Sequence, residues 1–396
     1  MRKLTFAALL TGWLLYAMPL SAQVDCTVVV NTPEDQLMLA VNGADGPQEQ
    51  VAALDKYAAA HAETKFTPCV NSTYTAAYLK LNNFDKAIEY GEKDIAANAL
   101  DINLMLNLLK SYVGAGKAND TSFDVIDKMP NQLKVESSAS RPAKMSDEEW
   151  AKAQQDMAAQ MKDERAYAEY AFFQLLPRVA DPPKRVQYLD GFMQAYPDTP
   201  NVGQVNYQYF VAYEYAGNPA KADEYGEKAI AADPNNVEYL VALANDYSAP
   251  LQPGQPDTPA HKLKMDKAEE YAKKVIQLVP TIKKPEGVSD DQFKITQNNQ
   301  LGLAHLSLGL VEYQLAFKTH KIATTIQEFK TAADLLGANP ELQAKALYLL
   351  GNAYEFGTAA NHKAAIDALT RASSLQSSFK GPSADLLAKV KKAAHM

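Results

Sequence analysis

Apolar residues return every three or four positions along most of this chain, and polar residues fill the opposite face. The stretch 206–234 shows the rule. Asn206, Tyr209, Phe210 and Tyr213 share one helical face, Gly217-Asn218-Pro219 interrupts it, and Ala222, Tyr225, Gly226 and Ala229 line a second helix that closes at Asp233-Pro234. Gly supplies a free φ at such a turn, and Pro cannot continue the hydrogen-bond ladder. The same spacing predicts helices over 47–61, 70–81, 84–97, 101–114 and 119–128, then a linker from Pro130 to Met145 and a long helix from Ser146 to Leu176. That long helix opens on a capping box, Ser146 followed three residues later by Glu149. Pro382 to Ala394 forms a last amphipathic helix, with Leu386, Leu387 and Val390 on one face and Lys389, Lys391 and Lys392 near its end, where cations suit the dipole. Only Thr27-Val28-Val29-Val30 reads as strand-like, so the fold class is all-α.

The helical pattern also repeats. Laid on itself with an offset of 135 residues and no gap, the chain matches at 24 of 66 positions between 47–112 and 182–247. Chance gives roughly one match in fifteen, so the two stretches are copies of one another. Asn71, Tyr74 and Tyr78 answer to Asn206, Tyr209 and Tyr213, and Glu89-Tyr90-Gly91-Glu92-Lys93 answers to Glu224-Tyr225-Gly226-Glu227-Lys228. Further on the offset becomes 143: Pro142, Ser146, Asp147 and Trp150 answer to Pro285, Ser289, Asp290 and Phe293. The eight additional residues fall in the Pro-rich run Ala249–Pro259, which cannot be helix interior and is expected to be a surface loop. A partial third copy begins near Ile322, with Ala353-Tyr354-Glu355-Phe356 in the place of Ala212-Tyr213-Glu214-Tyr215.

Bulky residues in a first helix, small ones in a second and a closing Pro resemble the tetratricopeptide (TPR) repeat. Leu347, Leu350, Gly351 and Tyr354 carry the resemblance best, while Asn206 and Phe210 stand where the family usually has Trp and Gly. The resemblance implies a right-handed TPR-like α-solenoid of antiparallel helix pairs, here with an internal tandem duplication. The expected organisation is a signal peptide over 1–22, an irregular segment over 23–46, units over 47–180 and 181–320, and a partial unit with a capping helix over 321–396. In the family, ligand contacts come from fixed positions of the first helix. Carried onto this chain they are Gln204, Tyr207, Val211, Glu214 and Tyr215, and again Lys345, Tyr348, Asn352, Glu355 and Phe356. Aromatic and acidic residues recur in both sets, which suits an extended peptide of some basic character.

The N-terminus adds a location. Arg2 and Lys3 precede an apolar run, Leu4–Met18, and Pro19-Leu20-Ser21-Ala22 precedes Gln23, the pattern of an exported chain cut after Ala22. The apolar run is too short to span a membrane, and Gln23-Val24-Asp25 before Cys26 is not a lipid-anchoring box. The expected location is periplasmic or secreted. Two thiols in an exported chain suggest a Cys26–Cys69 disulfide; two unpaired buried thiols are the alternative. The formal charge of −8 becomes −10 once Arg2 and Lys3 are removed, and its interspersed signs leave no basic patch for nucleic acid.

Candidate chemistry is sparse. Gly114-Ala115-Gly116-Lys117 imitates the end of a phosphate loop, but Ala118 stands where a Mg²⁺-holding Ser or Thr belongs. The histidines, His61, His261, His305, His320, His362 and His395, are scattered, and no Cys-x-x-Cys or His-x-x-x-His is present. No catalytic residue, cofactor or metal is therefore assigned. Tyr196-Pro197-Asp198-Thr199-Pro200 resembles the Tyr-Pro-x-Ser segments of periplasmic TPR proteins of envelope assembly. The expectation is a non-enzymatic exported scaffold binding a protein or peptide in a concave groove, with a part in cell-envelope assembly. The alternative is a glycan- or small-ligand-binding solenoid.

Overall fold

The computed structural model describes residues 3–5, 27–61, 66–96, 101–138, 140–142, 144–251, 257–319, 322–356 and 361–395. Among these residues two short strands, Lys3–Thr5 and Thr27–Val29, pair antiparallel with Lys3 opposite Val29. All other regular structure is helical. The α-helices are α1 (Pro33–Asn42), α2 (Pro47–Ala60), α3 (Thr67–Lys80), α4 (Phe84–Ala96), α5 (Ile102–Ala115), α6 (Asp120–Ser137), α7 (Asp147–Leu175), α8 (Pro182–Ala195) and α9 (Val202–Tyr215). There follow α10 (Pro219–Ala232), α11 (Val237–Tyr247), α12 (Pro259–Leu278), α13 (Asp290–Thr319), α14 (Ala323–Leu335), α15 (Pro340–Tyr354), α16 (His362–Ser374) and α17 (Lys380–Ala393). Cys26 and most of the expected signal peptide lie outside the described residues, as does the centre of the Ala249–Pro259 loop.

Packing divides the chain into two compact units: residues 1–200 with 211–218, and residues 201–210 with 219–396. The division falls within α9, whereas sequence repetition places its boundary after residue 180. In each unit a helix packs chiefly on its neighbours in sequence. α3 lies on α4 and α4 on α5 in the first, and α13 on α14, α14 on α15 and α15 on α16 in the second. Short connections and apolar stripes produce this order, because each helix has one face to bury and its neighbour is nearest. In the second unit Phe329, Leu336, Leu347 and Leu350 fill the space between α13, α14 and α15. Helix α17 buries Val390, with Leu386 and Leu387 half-buried against Leu369 of α16.

The duplication is visible in the contacts. Tyr74 stacks on Tyr90 at 4.2 Å, and Tyr209 on Tyr225 at 4.4 Å. Tyr112 donates to the Glu92 carboxylate, and Tyr247 donates to Glu227 at 2.9 Å. Gly91 and Gly226 let a Leu from the next helix approach: an added Cβ would lie 2.9 Å from Leu108 and 3.0 Å from Leu243. Each pair is separated by the same 135 residues, so one packing solution is used twice.

One element differs from expectation. The helix read as ending at residue 128 continues through Pro130 to Ser137, which shortens the Pro130–Met145 linker. An interior Pro cannot donate to the carbonyl four residues earlier, that of Ile126. The Ile126 carbonyl accepts instead from the Tyr196 hydroxyl, 2.8 Å away and buried. A distant side chain thus satisfies the acceptor that Pro130 leaves, and the helix survives. The capping box at Ser146 forms as expected, with Glu149 N 3.2 Å from Ser146 Oγ and Ser146 N 2.9 Å from Glu149 Oε2.

Candidate functional site

The first five candidate residues lie on α9. Gln204, Tyr207 and Val211 are half-buried, whereas Glu214 and Tyr215 are exposed. Tyr207 stacks on Tyr239 of α11 at 4.8 Å and on Phe210 at 5.9 Å, so its ring belongs largely to packing. Tyr215 is the opposite case, at 73% exposed. Its ring is braced from one side by the Arg185 guanidinium, 5.7 Å from the centroid. Arg185 is itself fixed by donating to the Val179 and Pro177 carbonyls, at 2.5 and 3.2 Å. An aromatic ring held in water by an anchored cation is a contact surface with little ordering left to lose.

The second five lie on or just after α15, and all are half-buried. Tyr348 packs on Phe379 at 5.6 Å, and Phe356 meets Tyr313 of α13 edge-on at 6.0 Å. Asn352 donates back to the Tyr348 carbonyl at 2.9 Å, and Glu355 holds His362 at 2.9 Å. Burial lowers the pKa of Lys345 below its usual range. The rings of this set are spent on packing between helices, which the spacing along α15 could not reveal.

Sequence reasoning missed a cleft in the first unit. Helices α6 and α8 enclose about 490 Å³ lined by Asp120, Asp124, Asp127, Asp190, Phe123 and Tyr188, among others. Phe123 and Tyr188, both in its lining, stack at 3.8 Å. Asp120 is engaged by Lys184 at 2.7 Å and by the Tyr188 hydroxyl, and Asp124 by Lys128 at 2.7 Å. Burial, with Asp124 close by, pushes Asp127 up to about 6. Its Oδ2 sits where any Cβ on residue 191 would be, 2.6 Å from the ideal position, so Gly191 makes room for it.

The other motifs resolve into structure. Gly116 takes the left-handed conformation, φ 62°, that ends α5, and Lys117 pairs with Asp85 at 2.7 Å. His305 pairs with Glu328 at 2.6 Å, and His261 with Gln314 at 3.1 Å. In Tyr196-Pro197-Asp198-Thr199-Pro200, Tyr196 and Thr199 are buried anchors and the other three residues are exposed. Arg165 lies over the Tyr196 ring and donates to Asp198, and Thr199 donates to Glu169 at 2.7 Å. Cys69 is 4% exposed on α3, and no free cysteine occurs among the described residues. No described helix is long and apolar enough to cross a membrane.

No protein-family model matches this chain, and no curated protein does. Among solved structures it is similar to the APC/C hetero-tetramer Cut9–Hcn1. That match covers 92% of this chain and 91% of that one, at 13% identity and a TM-score of 0.26. A likeness that loose carries no weight for fold or function.

Proposed function

We propose that this chain is a non-enzymatic, exported scaffold of TPR-like helix pairs that binds a protein or peptide. The observation that carries the reading is Tyr215, an aromatic ring kept in solvent and braced by Arg185 at a position where TPR proteins contact their ligands. Glu214 beside it is exposed, and an aromatic next to a carboxylate favours a peptide with basic character. Export is supported by the charged start, the apolar run and the small-residue end of residues 1–22. Cleavage after Ala22 would remove Lys3–Thr5 and leave Thr27–Val29 without its ladder partner. A part in envelope assembly is supported by the expected location and by the likeness of Tyr196-Pro197-Asp198-Thr199-Pro200 to segments of envelope-assembly TPR proteins.

The test is crosslinking in the native host, followed by capture with wild type and Tyr215→Ala. The replacement removes an exposed ring, so the urea midpoint should stay put while a crosslinked partner is lost. Identical partner lists for the two proteins would refute the role of Tyr215.

A further inference from the structure

The two copies differ at one cluster of acidic residues, of which Asp94 and Glu164 are buried, Glu136 is half-buried and Asp101 is exposed. In the first unit Asp94, Asp101, Glu136 and Glu164 come from α4, the N-cap of α5, α6 and α7. Their sequence counterparts in the second unit are Ala229 and Asn236, at an offset of 135, and Val279 and Ser307, at an offset of 143. All four carboxyls are thus replaced by neutral side chains in the copy. Asp94 is 1% exposed, and its Oδ1 has no hydrogen-bond partner. Ala229, in the same place, is simply core.

We propose that Asp94, Glu136 and Glu164, set around Asp101, form a proton-operated latch, closing the α4–α7 part of the first unit when protonated and loosening it when ionised. The groups facing one another are mostly of one sign. Asp101 is the one charged group acting on Asp94; Asp101 and Glu164 act on Glu136; Asp101, Asp163 and Lys110 act on Glu164. Lys110 is the cation that acts on Glu164, and Gln160 donates to the same carboxylate at 2.7 Å. The copy has Asn245 where Lys110 stands and Leu306 where Asp163 stands, so no charge remains there to be balanced. The four carboxyls do not converge as ligands: among the described residues no group of three or more acidic, His or Cys side chains could hold a metal.

Burial pushes both Asp94 and Glu136 up to about 7, with Asp101 adding to each. A carboxyl whose pKa is higher folded than unfolded binds more protons in the folded state. Stability is then greatest below the unfolded value and falls as pH rises from about 4 to about 7, by up to tenfold per pH unit for each proton released. The second unit has no counterpart and should not follow.

Hydrogen exchange of the full chain between pH 5 and 8, corrected for intrinsic rates, tests this with α10–α11 as internal control. Opening of α4–α5 should rise about tenfold per unit up to pH 7 relative to α10–α11. Asp94→Ala, which installs the copy's own residue, should flatten that rise, and Asp94→Asn should do the same where the smaller side chain fails to pack. The inference is overturned if α4–α5 tracks α10–α11 across the range. It is also overturned if both variants retain the wild-type dependence.

Discussion

Replacing Tyr196 by Phe isolates a single hydrogen bond of structural consequence. The ring is fully buried, stacked on Phe192 at 4.6 Å, and Phe fills the same space. What is lost is the hydroxyl that donates to Ile126 O at 2.8 Å. Because Pro130 supplies no backbone N–H, that carbonyl is left buried without the donor it would have in an ordinary helix. Orphaning a buried acceptor costs about 1–3 kcal/mol, against about 1 kcal/mol for a bond whose partner water can satisfy. With a urea slope of about 2–3 kcal/mol/M, the midpoint of the first unit should fall by roughly 0.5–1 M. The decisive comparison is a double-mutant cycle with Pro130→Ala. Alanine restores the N–H at position 130, so the Ile126 carbonyl keeps a donor when the hydroxyl goes. Tyr196→Phe should then cost less by about 1 kcal/mol. Tyr188→Phe, whose hydroxyl meets an Asp120 already paired with Lys184, serves as a control for loss of a phenol at a wetter site. Equal costs of Tyr196→Phe with and without Pro130 would refute the account of why α6 passes through a proline.

Gly309 lies against Phe329, whose ring would be 2.5 Å from an added Cβ, so Gly309→Ala should destabilise the second unit by about 1–3 kcal/mol in urea unfolding. An unchanged midpoint would mean the α13–α14 contact yields without cost. Thiol titration of denatured protein expressed with its export signal should find no free thiol if Cys26 and Cys69 are bridged; two free thiols would exclude the bridge.

The helical class, the turns and the duplication were determined by the sequence itself. Each follows from local periodicity or from the repetition of residues such as Glu92 and Glu227, Tyr112 and Tyr247, Gly91 and Gly226. Helix α6 could not be read correctly, because the donor that rescues it is 70 residues from Ile126. Nor could spacing distinguish Tyr207 from Tyr215, which share a helix. Tyr239 arrives from α11 to cover the first, while the second meets Arg185 and stays in water. The carboxyl cluster left only a faint trace, acidic residues where the copy is neutral. Tertiary packing brings Asp94, Asp101, Glu136 and Glu164 together from four elements. A helix's existence depends on neighbours a turn away, whereas exposure and charge depend on what the rest of the chain places against it.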